Sequence, residues 1–378
     1  MTIAADLSGR VAIAGAATAG IGWDTRDSAV GIMADAAHAA LADAGLRASD
    51  VDALFAVTPY HWMPSVALAD ELGIRPRHTD STNIGGASVV AHVGHAVRAI
   101  ATAGASVAVI AYASTQRSDT GRLVTRAEVP AYERPYGALF PISGYALVAQ
   151  RHMHEYGTTR GQLAQVAVSA SEWAALNPEA LRREPLTRDD VVASPAVSDP
   201  LRKLDCCLVS NGGGAIVVTA ADRGTRSPVR ILGVGESHSH CYVSSMRSFT
   251  RTDAVESSRA AYEMAGLGPA DIDVVQIYDA FTISVIVGLE DTGFCAKGEG
   301  GRLVERGIGP GGRLPVNTSG GGLRCCHPGM FGIFLLVEAV RQLRGEGGER
   351  QVAGARRALV HGYGGIFAGN ATAVLGRG

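Results

Sequence analysis

Two glycines, Gly85 and Gly86, stand directly before the stretch "ASVVAHVGHAVRAI", which is predicted to form a helix. The start of a helix carries unpaired backbone N–H groups and the positive end of the helix dipole. Without a side chain in the way, such N–H groups can bind an oxyanion. A glycine pair also serves tight turns and close packing. The two glycines are therefore candidates for an anion-binding backbone, with a structural turn as the alternative.

Imidazole, phenol and carboxyl groups follow predicted strands in the second half of the chain. The candidates are Tyr278 and Asp279 in "YDAF", His327 in "CHPGMFG", and His361 and Tyr363 in "HGYGG". Side chains of these types suit proton transfer better than they suit storage of an acyl group. Each also has a structural interpretation, because tyrosine is favoured in strands, aspartate bonds the backbone and histidine can pack in a core.

The elements that position these groups belong to an internal repeat. Residues 40–57, "ALADAGLRASDVDALFAV", match residues 261–278, "AYEMAGLGPADIDVVQIY", without a gap at an offset of 221. Each copy predicts a helix closed by glycine, a short turn containing aspartate and an apolar strand. Downstream, the helix carrying "AVRAI" in the first copy has a counterpart carrying "AVRQL" in the second, after "PVNTSGGG". One αβ unit is therefore used twice.

Two similar α/β halves bury their helices most easily against one another, which predicts a layered α/β sandwich. Polar residues, Gly and Pro in "AADRGTRSPVR" place the boundary so that the halves span 1–225 and 226–378. Residues 115–200 have no counterpart in the second half. We expect them to form an inserted loop region that covers a site.

Composition excludes several classes of protein. The chain has 378 residues, of which 47% are hydrophobic and 19% charged, as in a globular protein. A formal charge of −2 gives no electrostatic case for binding nucleic acid. Neither a signal-like amino terminus nor an apolar run of the ~20 residues that a membrane span needs is visible, so we expect a soluble, cytoplasmic protein. The six cysteines form no CxxC pair, and no metal site is predicted.

Four stretches resemble the thiolase superfamily, and most closely its sterol carrier protein type. They are "SDPLRKLDCCLVSNGGGAIVV", "YDAF", "NTSGGGLRCCHPGMFG" and "RQLRGEGGERQVAGARRALVHGYGG", and the similarity extends over essentially the whole chain. The resemblance implies a thiolase-like duplicated fold in which the two halves form an αβαβα sandwich.

The same resemblance implies roles for the residues above. Gly86 falls where thiolases carry their nucleophilic cysteine, so acyl transfer through that position is impossible, while the N–H groups of Gly85 and Gly86 remain able to bind an oxyanion. His327 matches the histidine of the family's GHP motif, which faces the thioester oxygen.

Other family positions have changed type. Tyr278, with Asp279 next to it, stands where thiolases begin NEAF or HDCF. His361 aligns with the acid/base cysteine of the last loop, and Tyr363 lies two residues on. The site thus has phenol and imidazole where the family has sulfur.

These changes are compatible with retro-aldol cleavage. The chain resembles thiolase-like aldolases of bacterial steroid side-chain degradation, which act on branched 3-hydroxyacyl-CoA esters. We expect His327 and a backbone N–H to hold the enolate oxygen, while Tyr278 or Tyr363 removes the hydroxyl proton and the other phenol, or a water, returns a proton. A phenolate base would need a stabilising donor such as His361. No cofactor is expected beyond the coenzyme A of the substrate, and the acyl group is not fixed by the sequence.

The resemblance also implies assembly. Members of that branch form complexes in which a thiolase-like dimer binds a small partner with an OB-fold and a zinc ribbon. His61 and Trp62, in "VTPYHWMP", are expected to serve packing or an interface rather than a pocket.

Two alternatives stay open at this point. A displaced cysteine, Cys295, Cys325 or Cys326, could support true acyl transfer. The chain could also be a thiolase-like scaffold that has lost catalysis, because a fold does not establish a function.

Overall fold

The computed structural model describes residues 5–24, 27–119, 129–223 and 227–378. The strands of the first half are β1 (Val11–Gly22), β2 (Ala53–Val57), β3 (His78–Asp80), β4 (Val107–Ser114), β5 (Ala196–Ser198), β6 (Leu201–Arg202) and β7 (Asn211–Ala220). Its helices are α1 (Ala29–Ala44), α2 (Pro64–Glu71), α3 (Ser88–Thr102), α4 (Gln116–Asp119), α5 (Ile142–Tyr156), α6 (Arg160–Ala175) and α7 (Arg188–Ala193).

The second half has fewer elements. Its strands are β8 (Val229–His238), β9 (Val274–Ile277), β10 (Arg357–Gly364) and β11 (Gly369–Arg377). Its helices are α8 (Ala254–Ala265), α9 (Thr282–Asp291), α10 (Gly300–Glu305), α11 (Gly321–Arg324) and α12 (Gly332–Arg344).

The predicted repeat is present in the structure. Helix α1 ends at Gly45, which has φ of 70°, and α8 ends at Gly266, with φ of 64°. Both glycines adopt the left-handed conformation that closes a helix without strain on a Cβ. Each helix is followed by a buried strand, β2 or β9, as the aligned sequences predict.

The strand order repeats as well. The first half runs β3-β2-β4-β7-β1, and the second runs β9-β10-β11-β8, with Val316 bridging Val275 in the place that β3 takes in the first half. In both halves the pairs β2–β4 and β9–β10 are parallel, while the strands that follow pair antiparallel. The two half-sheets also join edge to edge through β1 and β8, over the pairs Ala12–Arg230 and Ile13–Val229. The nine strands are therefore hydrogen-bonded into one continuous sheet that consists of the two half-sheets.

The layers are those of the predicted sandwich. Helices α3 and α12 contact each other and strands of both half-sheets, so they form the central layer. Helices α1 and α2 cover the outer face of the first half-sheet, and α8 covers the outer face of the second. Buried apolar side chains fill the space on both sides of the strands.

The segment predicted as an inserted loop region is mostly helical. Within 115–200 the structure has α4 to α7 and the short strand β5, so the expectation of a loop is corrected. Its residues Phe140, Pro141 and Tyr145 line the central cavity described below. The predicted boundary at 225/226 falls in residues 224–226, outside the described residues. Among the described helices, none combines the length and the apolar character required to span a bilayer.

Candidate active site

A cavity of about 570 Å³, here called the central cavity, opens where the two halves meet. Its wall includes Gly86 before α3, Tyr112 at the end of β4 and Tyr145 from the inserted segment. The second half contributes Tyr278 after β9 and His327 in the loop before α12. Since residues of both halves form this wall, neither half forms the cavity alone.

Gly85 is held within its own loop. It has φ of 69°, its carbonyl oxygen accepts the Ser88 hydroxyl at 2.6 Å, and its N–H donates to Asn83 Oδ1 at 3.1 Å. The N–H of Gly85 is therefore already paired, which argues against the predicted oxyanion-binding role of this residue. Gly86 is the remaining backbone candidate of the predicted pair.

No side chain fits at Gly86. A Cβ on this residue would lie 2.2 Å from Cε2 of Tyr278 and 2.5 Å from the carbonyl oxygen of Tyr363. Real Cβ contacts are essentially never shorter than 3.0 Å. The phenol ring of Tyr278 thus occupies the space that a cysteine at this position would need.

Tyr278 and His327 form a hydrogen-bonded pair on the cavity wall. Tyr278 Oη lies 3.0 Å from His327 Nε2 and 2.8 Å from the carbonyl oxygen of Gly329, and the two rings meet edge to face. The phenol has one hydrogen. When the phenol donates this hydrogen to the carbonyl oxygen of Gly329, Nε2–H of His327 donates to the phenol oxygen. When the hydroxyl rotates, the phenol donates to an unprotonated Nε2, so the pair can pass a proton in either direction.

Burial keeps both groups neutral. It raises the pKa of Tyr278 well above 10 and lowers the pKa of His327 to about 4. At neutral pH the site therefore holds a neutral phenol and a neutral imidazole. The expected phenolate base is not the resting form of Tyr278.

The loop from His327 to Met330 is fixed by a second tyrosine that the sequence analysis missed. The Tyr112 hydroxyl donates to the carbonyl oxygen of Pro328 and accepts the N–H of Met330, the latter at 3.0 Å. The backbone N–H of His327 donates to Ser210 Oγ at 3.0 Å. No signal in "VAVIAYAS" distinguishes Tyr112 from an ordinary tyrosine of a buried strand.

Tyr363 and His361 point to the other face of the sheet. Side chains alternate along a strand, and a Cβ on the intervening Gly362 would lie 3.0 Å from the Cα of Ala87, next to α3. Tyr363 Oη instead lies 2.9 Å from where a Cβ on Gly288 of α9 would be. Tyr363 borders the cavity, yet its hydroxyl is not brought to Tyr278. The predicted placement of Tyr278, His327 and Tyr363 on one cavity is therefore confirmed, while the prediction that both phenols act on one ligand stays a prediction.

His361 does not assist a phenolate either. Its Nδ1 is 2.8 Å from Thr372 Oγ1, and within the described ranges its Nε2 has no hydrogen-bond partner. Its ring meets that of Tyr363 edge to face at 4.5 Å, without a hydrogen bond between them among the described contacts. Burial lowers the pKa of His361 to about 3. His361 therefore packs behind the cavity rather than lining it, and its catalytic role stays a prediction.

Asp279 supports the site from behind. Its carboxylate accepts the N–H of Gly322 at 2.7 Å and that of Leu323 at 3.2 Å, and the ring of His327 packs beside Gly322. Burial raises the pKa of Asp279 to about 7, against the opposing effect of these N–H donors. Asp279 does not line the cavity, so the structure makes it a positioning residue rather than a catalytic one.

The cysteines of the acyl-transfer alternative lie elsewhere. Cys325 and Cys326 are buried, and neither they nor Cys295 line the central cavity. Burial raises the pKa of Cys295 to about 12 and that of Cys326 well above its usual range. Cys241, which the sequence analysis did not single out, is exposed and lines the cavity. The neighbouring His240 donates through Nε2 to the carbonyl oxygen of Ile366, at 2.9 Å, instead of activating this thiol.

His61 and Trp62 lie outside the central cavity. The Trp62 side chain is 84% exposed, so it does not pack in the core. The prediction that it serves an interface is not tested by a single chain.

Comparisons with known proteins show the family to which the chain belongs. A family model described as "Thiolase C-terminal domain-like" matches residues 235–377. A protein named acetyl-CoA acetyltransferase from Methanothermobacter thermautotrophicus is 37% identical over 361 residues, which cover 91% of this chain and 92% of that protein. The chain belongs to the thiolase superfamily.

Other similar proteins are named as lyases or aldolases rather than as thiolases or acyltransferases. The 17-hydroxy-3-oxo-4-pregnene-20-carboxyl-CoA lyase of Mycobacterium tuberculosis is 35% identical over 375 residues, covering 94% of this chain and 96% of that protein. The solved "Ltp2-ChsH2(DUF35) aldolase" matches with a TM-score of 0.90 and 32% identity, covering 98% of both chains. The superfamily thus includes relatives named as lyases and as acyltransferases at similar sequence distances from this chain.

Proposed function

We propose that this member of the thiolase superfamily is a carbon–carbon lyase. It cleaves a branched 3-hydroxyacyl-CoA by a retro-aldol reaction, giving a ketone or an aldehyde and a shorter acyl-CoA. The observation that carries this proposal is the position of Tyr278. Its ring fills the space in front of Gly86, and its hydroxyl is bonded to His327. A proton-transfer pair therefore stands where a thiol would have to act.

The reaction needs a proton to leave the 3-hydroxyl group as the C2–C3 bond breaks. Tyr278 takes this proton while its own hydrogen passes to Nε2 of His327. The electrons of the broken bond form the enolate, whose oxygen gains charge beside the new imidazolium and the N–H of Gly86. The proton then returns from His327 through Tyr278 or a water to the enolate carbon. Atoms and charge balance, and both groups regain their resting forms.

This relay suits the neutral resting pair. A neutral tyrosine can accept a proton only if it gives up its own at the same time, and His327 is its neighbour with a free lone pair in one tautomer. The low pKa of His327 makes its imidazolium a strong acid, so the proton is returned readily once the enolate has formed.

The acyl group is proposed to be a steroid side chain. The named lyase of Mycobacterium tuberculosis carries a pregnene skeleton in its substrate name, and the central cavity has an apolar side formed by Phe140, Pro141, Tyr145 and Met330. Such a wall suits a large apolar acyl group.

Assembly is proposed by analogy with the aldolase whose name pairs Ltp2 with ChsH2(DUF35). The chain works in the cytoplasm as a homodimer that binds a small protein with an OB-fold and a zinc ribbon. Trp62, with the exposed Met63 and Val66 beside it, is a candidate contact surface. Light scattering of the chain, alone and with a co-expressed partner, tests this: a monomer under both conditions contradicts it.

Acyl transfer through Cys241 is the second candidate, favoured by its place on the cavity wall and by the relative named acetyl-CoA acetyltransferase. Against it, Cys241 lies at the exposed side of the cavity and His240 is bonded elsewhere.

One experiment separates the candidates. The purified chain is incubated with a branched 3-hydroxyacyl-CoA, and in parallel with a 3-oxoacyl-CoA and free coenzyme A, and the products are measured by liquid chromatography with mass spectrometry. We expect a ketone or aldehyde from the first substrate, at the same rate in wild type and in Cys241→Ala. Thiolysis of the second substrate, with an acyl adduct on Cys241 that the variant lacks, would overturn the proposal. No product from either substrate, with the partner present, would favour a scaffold.

A further inference from the structure

A group of potential metal ligands lies between β3 and α3, outside the central cavity. Asp80 ends β3, and His92 and His95 lie one turn apart on α3. One carboxylate oxygen and one ring nitrogen from each histidine all lie within 4.8 Å of one another. Residues three positions apart on a helix share a face, so both imidazoles reach the same point.

His92 is the unusual member of this group. Its side chain is 0% exposed, and in the described part of the chain neither Nδ1 nor Nε2 has a partner at hydrogen-bond geometry, although the backbone of Thr82 lies close to the ring. Buried polar atoms are nearly always paired, because an unpaired one loses its bonds to water and gains none. The ring packs against those of Phe55 and His95. A ligand that is not a protein group would satisfy the buried imidazole.

The surrounding contacts have the form of a metal site with an outer layer. Asp80 Oδ1 accepts the N–H and the hydroxyl of Thr82, both at 2.8 Å, which leaves Oδ2 directed to His95 Nδ1 at 2.5 Å. On its other side, His95 Nε2 lies 3.3 Å from Glu236 Oε2. The second oxygen of Glu236 is 2.8 Å from Nε2 of His238. Histidines that bind a metal through one nitrogen commonly donate the other N–H to a carboxylate in this way.

We propose that Asp80, His92 and His95 bind a divalent transition metal, with Zn²⁺ as the favoured ion. Two imidazoles and one carboxylate are ordinary zinc ligands at ~2.0–2.2 Å. Mg²⁺ and Ca²⁺ prefer oxygen ligands, so a site with two imidazole nitrogens does not suit them. The fourth position belongs to a water. The ion lies between Asp80 Oδ2 and His95 Nδ1, which then share it instead of a hydrogen bond.

The position of the site assigns it a supporting role. Asp80 and the two histidines belong to the first half, whereas Glu236, the outer partner of His95, is on β8 of the second. Asn83, three residues after Asp80, and His238, the neighbour of Glu236, both line the central cavity. The ion would therefore fix the loop that leads to Gly86 and tie the halves together beside the cavity. The sequence analysis missed it because Asp80 and His92 are twelve positions apart and no CxxC accompanies them.

Metal content tests the proposal directly. The full chain is purified without a histidine tag, and its metals are measured by mass spectrometry. The chelated protein is then titrated with Zn²⁺ and with Co²⁺, whose visible spectrum reports its ligands. We expect one tightly bound ion per chain and a higher Tm with Zn²⁺ than after chelation.

Variants distinguish this site from surface binding. Asp80→Asn and His95→Gln should each lose the bound ion, and Glu236→Gln should weaken binding by about 10- to 100-fold. The exposed His38 on α1 gives the matched control, His38→Gln, which should keep it. Circular dichroism confirms that each variant is folded.

Two results would overturn the proposal. One is a folded wild-type chain that binds neither Zn²⁺ nor Co²⁺, which would leave His95 simply hydrogen-bonded between two carboxylates. The other is binding of equal tightness in the double variant Asp80→Asn, His95→Gln. Because these readouts do not use the lyase reaction, they stand apart from the proposed function.

Discussion

Equivalent positions in the two halves carry opposite arrangements around the cavity. The internal repeat aligns Val57 at the end of β2 with Tyr278 just after β9. Val57 pairs with Tyr112 on β4, whereas the register of β9 with β10 ends at Ile277 and His361, so Tyr278 and Gly362 are the next residues along the two strands. Each half therefore has one tyrosine and one smaller residue at these two neighbouring positions. The tyrosine is on the second strand, β4, in the first half, and directly after the first strand, β9, in the second half.

Both tyrosines direct their hydroxyls at one loop. Tyr112 bonds Pro328 and Met330, and Tyr278 bonds Gly329 and His327, so the loop before α12 is held by side chains from both halves. The loop before α3 is instead packed on bare backbone, because a Cβ on Gly364 would lie 1.6 Å from the carbonyl oxygen of Ile84. The comparison teaches that side chains hold the loop before α12, where His327 lies, whereas close backbone packing holds the loop before α3.

Removing the hydroxyl of Tyr278 should have the largest effect on catalysis among the substitutions that test this comparison. Tyr278→Phe keeps the ring that fills the space before Gly86 but loses the contacts to His327 and Gly329. We expect kcat for carbon–carbon cleavage to fall by ~10²–10⁴, the usual contribution of a proton-transfer group. Steady-state kinetics measure it. Tyr363→Phe is the matched control and should leave kcat nearly unchanged, because its hydroxyl faces Gly288. An equal loss of kcat in the two variants would contradict the assignment of the proton transfer to Tyr278.

A side chain introduced at Gly86 tests the close backbone packing of the loop before α3. Gly86→Ala should destabilise the fold by about 3 kcal/mol, since the new Cβ would overlap Tyr278 and the backbone of Tyr363. Urea unfolding measures the free energy. Gly94→Ala, further along α3, is the control: its Cβ would come no closer than 3.5 Å to Val234, so the better helix propensity of alanine should stabilise it by up to ~1 kcal/mol. Similar effects of the two substitutions would contradict the close packing at Gly86.

Tyr112→Phe tests whether the second tyrosine acts only through the loop. The variant leaves the carbonyl of Pro328 and the N–H of Met330 unpaired, which should lower the free energy of unfolding by about 1–3 kcal/mol. It should also lower kcat, though less than Tyr278→Phe does. Tyr262→Phe loses a comparable buried bond, to the carbonyl of Thr292, far from the cavity. We expect it to change stability but not kcat; a matching loss of kcat would show that Tyr112 has no specific role.

The smallest effect concerns pH. Because the pKa of His327 is lowered to about 4 and that of Tyr278 lies well above 10, neither group should change its protonation between about pH 6 and 9, and any change of kcat/KM in that range should be shallow and come from Asp279, whose pKa is raised to about 7. The large fall in activity should come on acidification through the pKa of His327, when the protonated imidazole can no longer accept the phenol hydrogen. Initial rates in buffers of constant ionic strength measure this. A loss of most activity centred near pH 6.5 that persists in Asp279→Asn would mean that His327 is not buried as described.

The sequence predicted the repeated units and the position of Gly86 because glycine caps and hydrophobic spacing are local features. Among the residues that the resemblance singles out, the cavity wall includes Gly85, Gly86, Tyr278, His327 and Tyr363. The resemblance does not give the directions of the Tyr363, His361 and Asp279 side chains, because a shift of one residue along a strand reverses the face to which a side chain points. Tyr112 was missed because its role depends on a loop more than two hundred residues away, and the ligands around His92 because they meet only once β3 and α3 pack together.

The way both halves enclose the central cavity sets a limit on symmetry. Two identical copies of one half, related by a true twofold axis, would present the same residue at both corresponding places. A tyrosine at both would leave no room for the loop before α3, and a glycine at both would leave the opposite loop without its anchor. The cavity can have one wall of each kind because the two copies lie in one polypeptide and are free to differ in sequence.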